Sequence, residues 1–595
     1  MRELFPIGRR LLVAGLVAGL AAATLTGCSV SAKVEPMDAD EPTQSSEPAK
    51  PEPSEPETPK TPPPSASLPK GAKGGVMRLG LANLPLTLDP AQAVDHESLV
   101  VCENLFDTLV RYSADSTDIE PGLAESWDHT KDELTWIFQL RSGVKFHDGT
   151  PVTADAVAFS FHRMMDPSHP YRAAESVFWK RLMHPVRSIR VLDSERLALE
   201  LDRPYGPLLA ALAMPQCAIV SPEAVKKLGN DFARNPIGSG PFRLVAWSAG
   251  QSIALTANAT YWGDKPFLDG AIVRGVSDPA ARLLQLARGD LDAMEGIASE
   301  DLAFAAKTGL KVEKAPGLNT IYLAFNTSGN DEPEEPTAGS TSTPAGATSS
   351  PLRARARKGL ASARIRKALA RGIDKSAIAS DVYGGLAVAA MSPMPPGLWG
   401  HAEKSEEAGF DPASARQLLE QAGYESNFSI ELLTLDRPRS YLPQPRKLAH
   451  RVRKDLTSLG IDVRVRVLDF EAYQELVQDA DYEACLMGWT ADTGDPDNCF
   501  YTLLSADSIR PPDSTNLSFF TDPELQRVLL EGQGAADRAS RERLYARAEK
   551  LTAARAPLLP LVHLLETLVF RASRVSGLRL HPVGFRRLST ASITP

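Results

Sequence analysis

Segments with helical hydrophobic periodicity alternate along the chain with segments in which every second residue is apolar. Apolar residues recur at helical spacing over 97–109, which predicts a helix near the start of the folded body. Alternation over 189–201, broken by a polar turn at 193–195, predicts a β-hairpin with one buried face. Alternation over 461–468 predicts a half-buried strand. This succession of helices and strands is typical of an α/β fold.

Residues that favour helix ends stand at the borders of several of these segments. Aspartate followed by proline, at 411–412 and again at 522–523, predicts an N-cap with proline in the first helical turn. Thr153 predicts the N-cap of another helix, and Gly423 predicts where the first of the Asp-Pro helices ends. The aromatic and β-branched run over 134–141 predicts a strand.

The loop over 488–498, Gly-Trp-Thr-Ala-Asp-Thr-Gly-Asp-Pro-Asp-Asn, follows an apolar segment at 484–487 that reads as the end of a buried strand. Ligands of open α/β sheets collect at the carboxyl ends of strands. Trp489 and Asp492 can therefore offer an aromatic wall and a negative charge to a cleft. The alternative is a surface turn in which the aspartates cap backbone amides.

Length and composition indicate a large globular protein, and the net charge argues against a nucleic acid partner. The 595 residues, 43% of them hydrophobic, are enough for more than one domain with a large core. The net charge of -9 gives no electrostatic reason to expect a nucleic acid partner.

The amino terminus has the layout of a secretory signal. Paired arginines at 9–10 precede an apolar run over 11–25 that is too short to span a bilayer. Leu-Thr-Gly-Cys at 25–28 resembles the lipobox of bacterial lipoproteins, in which the cysteine, here Cys28, becomes the lipidated first residue. We therefore expect a signal peptide over 1–28 and a body held outside the cytoplasm.

Two further segments have compositions that cannot bury enough apolar surface to fold. Residues 29–75 are dominated by Pro, Glu, Ser and Thr, which predicts a disordered tether. Residues 327–359 combine a Glu, Ser and Thr-rich stretch with a basic patch, which predicts a disordered surface insertion, with contact to lipid head groups or a partner as the alternative. Four cysteines besides Cys28 allow three disulfide pairings or none: Cys102, Cys217, Cys485 and Cys499.

Several blocks of sequence resemble, in order, the extracytoplasmic solute-binding proteins of the peptide-binding family, known as family 5. These are the receptors of ATP-driven dipeptide, oligopeptide and nickel importers. The blocks are PGLAESW at 121–127, LTWIFQLRSGVKFHDGTPVTADAV at 134–157, PIGSGPF at 236–242, NATYWGDKP at 258–266, YLAFN at 322–326, and IRKAL with IDK at 365–375.

The resemblance implies an α/β, two-lobed periplasmic-binding-protein fold of type II, in the large peptide-binding class, with an extra subdomain in the first lobe. It also implies closure of the two lobes around a ligand. The expected divisions are 76–113, 236–324 and 563–595 for the core of lobe I, 114–235 for the extra subdomain, and 325–562 for lobe II, which carries the insertion at 327–359.

A zwitterionic ligand needs one anion and one cation in its site, because an unpaired buried charge is costly. In the family, the aspartate of the Gly-Trp loop takes a peptide's amino group, and here that role falls on Asp492, with Trp489 as a pocket wall. The carboxylate-binding arginine of dipeptide-binding members lies in an Arg-Pro loop of the second lobe. The run over 432–438 resembles that loop and places the role on Arg437.

The resemblance implies a substrate-binding lipoprotein that captures short peptides for an ABC permease and ATPase complex. We expect a monomer in the cell envelope, lipid-anchored on the extracytoplasmic side, with no cofactor, no metal and no nucleic acid. Absence of HExxH, GxSxG and P-loop motifs argues against an enzyme. A tethered sensory receptor is the alternative, as is the same fold with a nickel chelate, haem, opine or oligosaccharide. A nickel site would use a histidine such as His96, His563 or His581.

Overall fold

The computed structural model describes residues 74–173, 176–328, 351–401, 409–424 and 428–594. All of them belong to one compact unit that covers 64–595. The expected signal peptide with Cys28, nearly all of the expected tether and most of the expected insertion lie outside the described residues.

The described residues form the following elements. The strands are β1 Val76–Leu81, β2 Val110–Tyr112, β3 Ile119–Pro121, β4 Ala124–His129, β5 Thr135–Leu140, β6 Val186–Val191, β7 Arg196–Leu201, β8 Phe242–Ser248, β9 Ser252–Ala257, β10 Gly270–Gly275, β11 Ala293–Glu295, β12 Lys311–Pro316, β13 Asn319–Phe325, β14 Ala387–Ala389, β15 Ser429–Leu435, β16 Asp462–Leu468, β17 Ala484–Thr490, β18 Leu558–Phe570, β19 Val575–Ser576 and β20 Ser592–Ile593. The helices are α1 His96–Leu105, α2 Ala154–Met165, α3 Val177–Leu182, α4 Leu208–Leu212, α5 Pro222–Leu228, α6 Pro279–Arg288, α7 Leu302–Lys307, α8 Pro351–Ala361, α9 Ala363–Arg371, α10 Lys375–Ala377, α11 Pro412–Gln421, α12 Pro445–Thr457, α13 Phe470–Gln478, α14 Asp497–Leu504, α15 Pro523–Gly534 and α16 Arg538–Arg555.

A mixed sheet with the strand order β16-β15-β17-β13-β18-β11-β1-β10-β9-β8 runs through the body, and β12 and β14 also pair with β18. The long strand β18 joins its two halves. Its first part pairs with β13 and its last part pairs with β11 and β12. Since β18 is buried along most of its length, it reads in sequence as a nearly continuous apolar run.

Buried side chains gather into separate cores on either side of this junction. One core surrounds β1, β8, β9 and β10 and defines the first lobe. Another surrounds β13, β15 and β17 and defines the second lobe. A third core is built on the four-stranded sheet β4-β5-β7-β6 with α2, and this region is the subdomain.

The expected end of lobe I and the expected limits of the insertion at 327–359 both differ from what the structure shows. Residues 318–324, expected in lobe I, pack in the core of the second lobe, because β13 pairs with β17 over its whole length. The expectation of disorder over all of 327–359 is wrong at both ends. Thr327 donates backbone and hydroxyl hydrogen bonds to the Ser518 carbonyl. Residues 351–361 form α8, which buries Ala356 and Leu360 in the same core.

Most of the local predictions are confirmed. β6 and β7 form the predicted antiparallel hairpin, and β5 and β16 occupy the predicted strand segments. Asp411, Asp522 and Thr153 each accept a backbone N–H at the start of their helices. The first predicted helix ends at Leu105, earlier than its apolar spacing indicates. The glycines at 238 and 240 pack so closely against Leu105 and Phe106 that side chains at these glycines would collide with them.

The four cysteines of the body are buried and form no disulfide bonds: Cys102, Cys217, Cys485 and Cys499. This agrees with the option that none of these cysteines is paired. None of the helices within the described ranges combines the length and apolar character that a bilayer crossing requires.

Candidate ligand-binding site

A cavity of about 760 Å³ lies between the two lobes. The first lobe contributes the start of α1 and the segment after β11, and the second lobe contributes the segment after β17 and the loop that leads into α12. Both lobes therefore face the same space. Its charged and polar lining residues are His96, Gln216, Glu295, Ser299, Glu300, Tyr383, Ser440, Gln444, Thr490, Asp492, Glu566, Thr567 and Arg586.

Asp492 lies at the edge of this cavity, just beyond the carboxyl end of β17, as the sequence predicts. Its position is fixed by Asn498, a buried residue in the first turn of α14. The Asn498 Oδ1 accepts the Asp492 backbone N–H at 2.9 Å, and the Asn498 Nδ2 donates to Asp492 Oδ2 at 3.3 Å. The Asp492 side chain remains 24% exposed, so a ligand can reach the carboxylate.

Asp492 forms an ion pair with Arg181, which projects from α3 of the subdomain. The Arg181 guanidinium also lies over the Trp489 ring, 5.3 Å from its centroid. Partial burial lowers the pKa of Arg181 by desolvation. The sequence does not reveal this partner, because Arg181 is far from the loop in the chain and belongs to no motif.

Trp489 does not line the cavity, whose wall on this strand begins at Thr490. The indole instead lies between the second-lobe core and Arg181, and its Nε1 donates to Asn498 Oδ1 at 3.3 Å. Thus Trp489 contacts the two residues that hold Asp492, and in this arrangement it supports the site from behind.

Arg437 is not brought together with Asp492. Its side chain is 86% exposed and its Nε lies 3.6 Å from Asp436 Oδ2. Arg439, in the same loop, lies over the Phe470 ring at 4.3 Å, and its backbone forms a bridge with Leu442. This tight turn presents Ser440, Pro443 and Gln444 to the cavity and directs Arg437 to solvent.

A charged network that the sequence analysis missed forms the opposite wall. Arg586 is 2% exposed, with its Nε 2.7 Å from Glu295 Oε1 and its Nη2 2.8 Å from Glu566 Oε2. His96 Nε2 lies 2.7 Å from the other oxygen of Glu295. Burial alone would raise the pKa of Glu295, but Arg586 and His96 lower it to about 2. The four residues of this network come from distant segments of the chain and share no periodicity, so the sequence pattern does not bring them together.

A second buried network supports the loop from below. Arg541 on α16 donates two hydrogen bonds of 2.6 Å to the carboxylate of Asp495. Tyr545 donates to Asp497 at 3.0 Å, and Gln533 donates to the other oxygen of Asp497 at 3.1 Å. Burial and the neighbouring Asp495 charge raise the pKa of Asp497 to about 6. These contacts hold the polypeptide on which Asp492 and Asn498 stand.

The other histidines considered for nickel bond to the backbone. His563 Nδ1 lies 2.7 Å from the Asn319 carbonyl, and His581 Nε2 lies 3.0 Å from the Ser113 carbonyl. Within the described parts of the chain, no three His, Cys, Asp or Glu side chains are grouped as a metal site requires.

Residues 118–510 match the family model described as bacterial extracellular solute-binding proteins, family 5, middle region. This match spans more than half of the 595 residues. The chain belongs to this family. The resemblance drawn from the sequence blocks is thereby confirmed.

Relatives across family 5 align with nearly the whole body. Heme-binding protein A of Haemophilus influenzae is 30% identical over 81% of this chain and 86% of that protein. The dipeptide-binding protein of Escherichia coli is 28% identical over 88% of this chain and 99% of that protein. The solved structure of the periplasmic binding protein DppA from Helicobacter pylori with the peptide STSA matches with a TM-score of 0.68 at 28% identity, covering 88% of this chain and 98% of that one.

These matches confirm the two-lobed periplasmic-binding-protein fold predicted from the sequence. Family 5 consists of extracellular proteins that bind solutes for transport, so this chain is a solute-binding protein with its candidate site between the lobes.

Proposed function

We propose that this protein captures short peptides between its lobes and delivers them to the permease and ATPase of an ATP-driven importer. The observation that carries the proposal is the placement of the Asp492 carboxylate at the edge of the interlobe cavity, fixed by Asn498 and open to a ligand. A carboxylate held in this way is a site for a peptide's ammonium group.

The volume of the cavity and the ligands named for two relatives support a short peptide as the ligand. Ligand pockets for small molecules have volumes of roughly 300–1,000 Å³, and the cavity here is about 760 Å³. The Escherichia coli relative is a dipeptide-binding protein, and the Helicobacter pylori structure holds a peptide. Di- and tripeptides with free termini are therefore our first candidates.

For the carboxylate end of the ligand we propose Arg437. It lies in the loop that presents Ser440 and Gln444 to the cavity, and its exposed side chain has no buried interaction to lose on turning inward. Arg586, the arginine in the wall, already faces two carboxylates and has less charge to offer. In this proposal Trp489 supports Asp492 through Asn498 and through its ring contact with Arg181.

We further propose that Cys28 carries a lipid anchor and that 29–75 tether a monomeric body on the extracytoplasmic side of the membrane. The lipobox resemblance and the composition of the tether support this. We assign no catalytic step to the site, since its charged groups serve to bind and to hold one another.

Haem is the second candidate, because the Haemophilus influenzae relative is a heme-binding protein. Calorimetric titration of the full chain in detergent with di- and tripeptides, with N-acetylated and C-amidated forms, and with haemin separates the candidates. We expect saturable heat for peptides with both termini free and weaker binding for each blocked form. Saturable haemin binding with no heat from any peptide would replace the peptide assignment with haem.

A further inference from the structure

The carboxylate that we propose for the ligand's ammonium group already has a cation, and that cation comes from the opposite side of the cavity. Arg181 stands in the last turn of α3 in the subdomain, whereas Asp492 belongs to the second lobe. The Arg181 Nη2 reaches Asp492 Oδ2, the oxygen that also accepts the Asn498 amide. A ligand ammonium at Asp492 and the Arg181 guanidinium would therefore meet at one carboxylate.

The surroundings of Arg181 direct its guanidinium towards Asp492 but leave the ion pair open to replacement by another cation. The Trp489 ring attracts the guanidinium through its face, and this orients the side chain towards Asp492. The side chains of Arg181 and Asp492 are 40% and 24% exposed, so water reaches the pair. Exposed ion pairs of this kind contribute little net stability, and a second cation can replace the first.

The same contact bridges the two sides of the cavity. Other bridges are the ion pair of Asp118 with Arg538, the Gly494 N–H donated to the Tyr112 hydroxyl at 2.8 Å, and the Gly206 N–H donated to the Gln533 carbonyl at 2.7 Å. Among these four bridges, only the Arg181 ion pair uses a residue that lines the cavity. Ligand binding at Asp492 would thus break a link between the lobes as it forms its own.

We propose that Arg181 is an internal competitor for the ammonium subsite, holding Asp492 and the lobes together until a ligand cation displaces it. This inference rests on the proposed function and deepens it, because Arg181 becomes a specificity-determining residue. In molecules with the Arg181–Asp492 pair formed, a ligand ammonium can approach the carboxylate but must displace the guanidinium before it can pair with Asp492. The apparent dissociation constant is then the intrinsic one divided by the fraction of molecules with the pair open.

The competition sets how strongly the site distinguishes a charged amino terminus from a blocked one. A peptide with a free ammonium group replaces the cation at Asp492 and recovers the lost ion pair. An N-acetylated peptide cannot, so its complex must leave the Arg181–Asp492 pair in place or leave Asp492 without a cation. Both choices forgo the ammonium contact, but a blocked peptide that leaves the pair in place does not have to displace Arg181. Arg181 therefore narrows the difference in affinity between free and N-acetylated peptides, and its removal should widen that difference.

The test compares Arg181→Met, which keeps an apolar stem over Trp489, with Arg181→Lys, which keeps the charge. Arg187→Met is the matched control, because Arg187 lies in the same subdomain and pairs on the surface with Asp202. Thermal unfolding verifies that each variant is folded. Small-angle X-ray scattering without peptide reports the separation of the lobes, and calorimetry reports affinity for Ala-Ala and N-acetyl-Ala-Ala.

We expect Arg181→Met to increase the radius of gyration without peptide and to tighten Ala-Ala binding on the order of 10-fold, the gain if about nine tenths of wild-type molecules hold the pair. N-acetyl-Ala-Ala should gain nothing, Arg181→Lys should retain part of the competition, and Arg187→Met should match wild type. Unchanged or weaker Ala-Ala binding in Arg181→Met overturns the competition. If no variant binds any peptide, the proposed function fails, and the scattering result alone still decides whether Arg181 links the lobes.

Discussion

The amide group of Asn498 holds Asp492 at two points, accepting its backbone N–H at 2.9 Å and donating to its carboxylate at 3.3 Å. A third bond, from the Trp489 indole, fixes the amide itself. The direction of the Asp492 carboxylate thus depends on a buried residue that does not line the cavity.

Replacing Asn498 with alanine should weaken peptide binding by about 1–2 kcal/mol, because the Asp492 backbone N–H and the Trp489 indole lose their acceptor. Calorimetry with a dipeptide measures this loss. Asn235→Ala, which removes an exposed amide far from the cavity, is the control. Equal affinity of Asn498→Ala and wild type would show that Asp492 needs no support from Asn498.

Replacing Asp492 with alanine should weaken dipeptide binding by about 2 kcal/mol, roughly 30-fold. This loss is small for the removal of one member of a ligand–protein charge pair, because the carboxylate already interacts with Arg181 before a ligand arrives. N-acetylated peptides should lose far less. Asp513→Asn, in an exposed loop, is the control, and unchanged affinity of Asp492→Ala would remove this residue from the site.

Arg437 and Arg439 lie in one loop and allow a paired test of the carboxylate subsite. Arg437→Ala should lower affinity for peptides with a free carboxyl terminus by about 2 kcal/mol and leave C-amidated peptides unchanged. Arg439→Ala, which loses only a contact with the Phe470 ring, should bind both forms nearly as wild type does. An equal effect of Arg437→Ala on both peptide forms would assign the carboxylate to another group.

Two histidines should respond to pH with opposite signs. Although burial opposes it, Glu295 raises the pKa of His96, so the stabilisation from His96 is present below pH 6.5 and disappears as pH rises through the folded-state pKa. Burial lowers the pKa of His563 to about 4, so His563 costs about 2 kcal/mol as pH falls from 6.5 to 5. In urea unfolding, His96→Gln should therefore lower the free energy of unfolding most at acid pH. In His563→Gln, the free energy of unfolding should fall less between pH 6.5 and pH 5 than it does in wild type. Parallel pH profiles for the two variants would contradict both assignments.

Replacing Arg541 with methionine should destabilise the protein by about 3–5 kcal/mol, because the Asp495 carboxylate would remain buried without its cation. Arg527→Met is the matched control, since it breaks an exposed pair with Glu531 on the neighbouring helix and should change stability by less than about 0.5 kcal/mol. Urea unfolding measures both. A small effect at Arg541 would mean that the segment between β17 and α14 does not depend on this pair.

Local structure could be predicted wherever the signal lies within one stretch of sequence. The N-caps at Asp411 and Asp522 and the strand before the Gly-Trp loop depend on neighbouring residues. The structure has both caps as predicted, and it has the strand, which continues three residues beyond the predicted segment, to Thr490. Arg181 could not be found in this way, because its contact with Asp492 requires two lobes to meet. The direction of Arg437 depends on a turn at 439–442 whose geometry no periodicity encodes.

The strand β18 has a consequence for any attempt to study the halves of this protein separately. It supplies hydrogen-bonding partners to β13 in one half and to β11 and β12 in the other. A fragment that keeps β18 would leave part of this apolar strand without hydrogen-bonding partners. A fragment that lacks β18 would expose the edge of β13. Either fragment would tend to aggregate by pairing its unpaired strand edge with strands of other molecules, so the two lobes are inseparable as folding units.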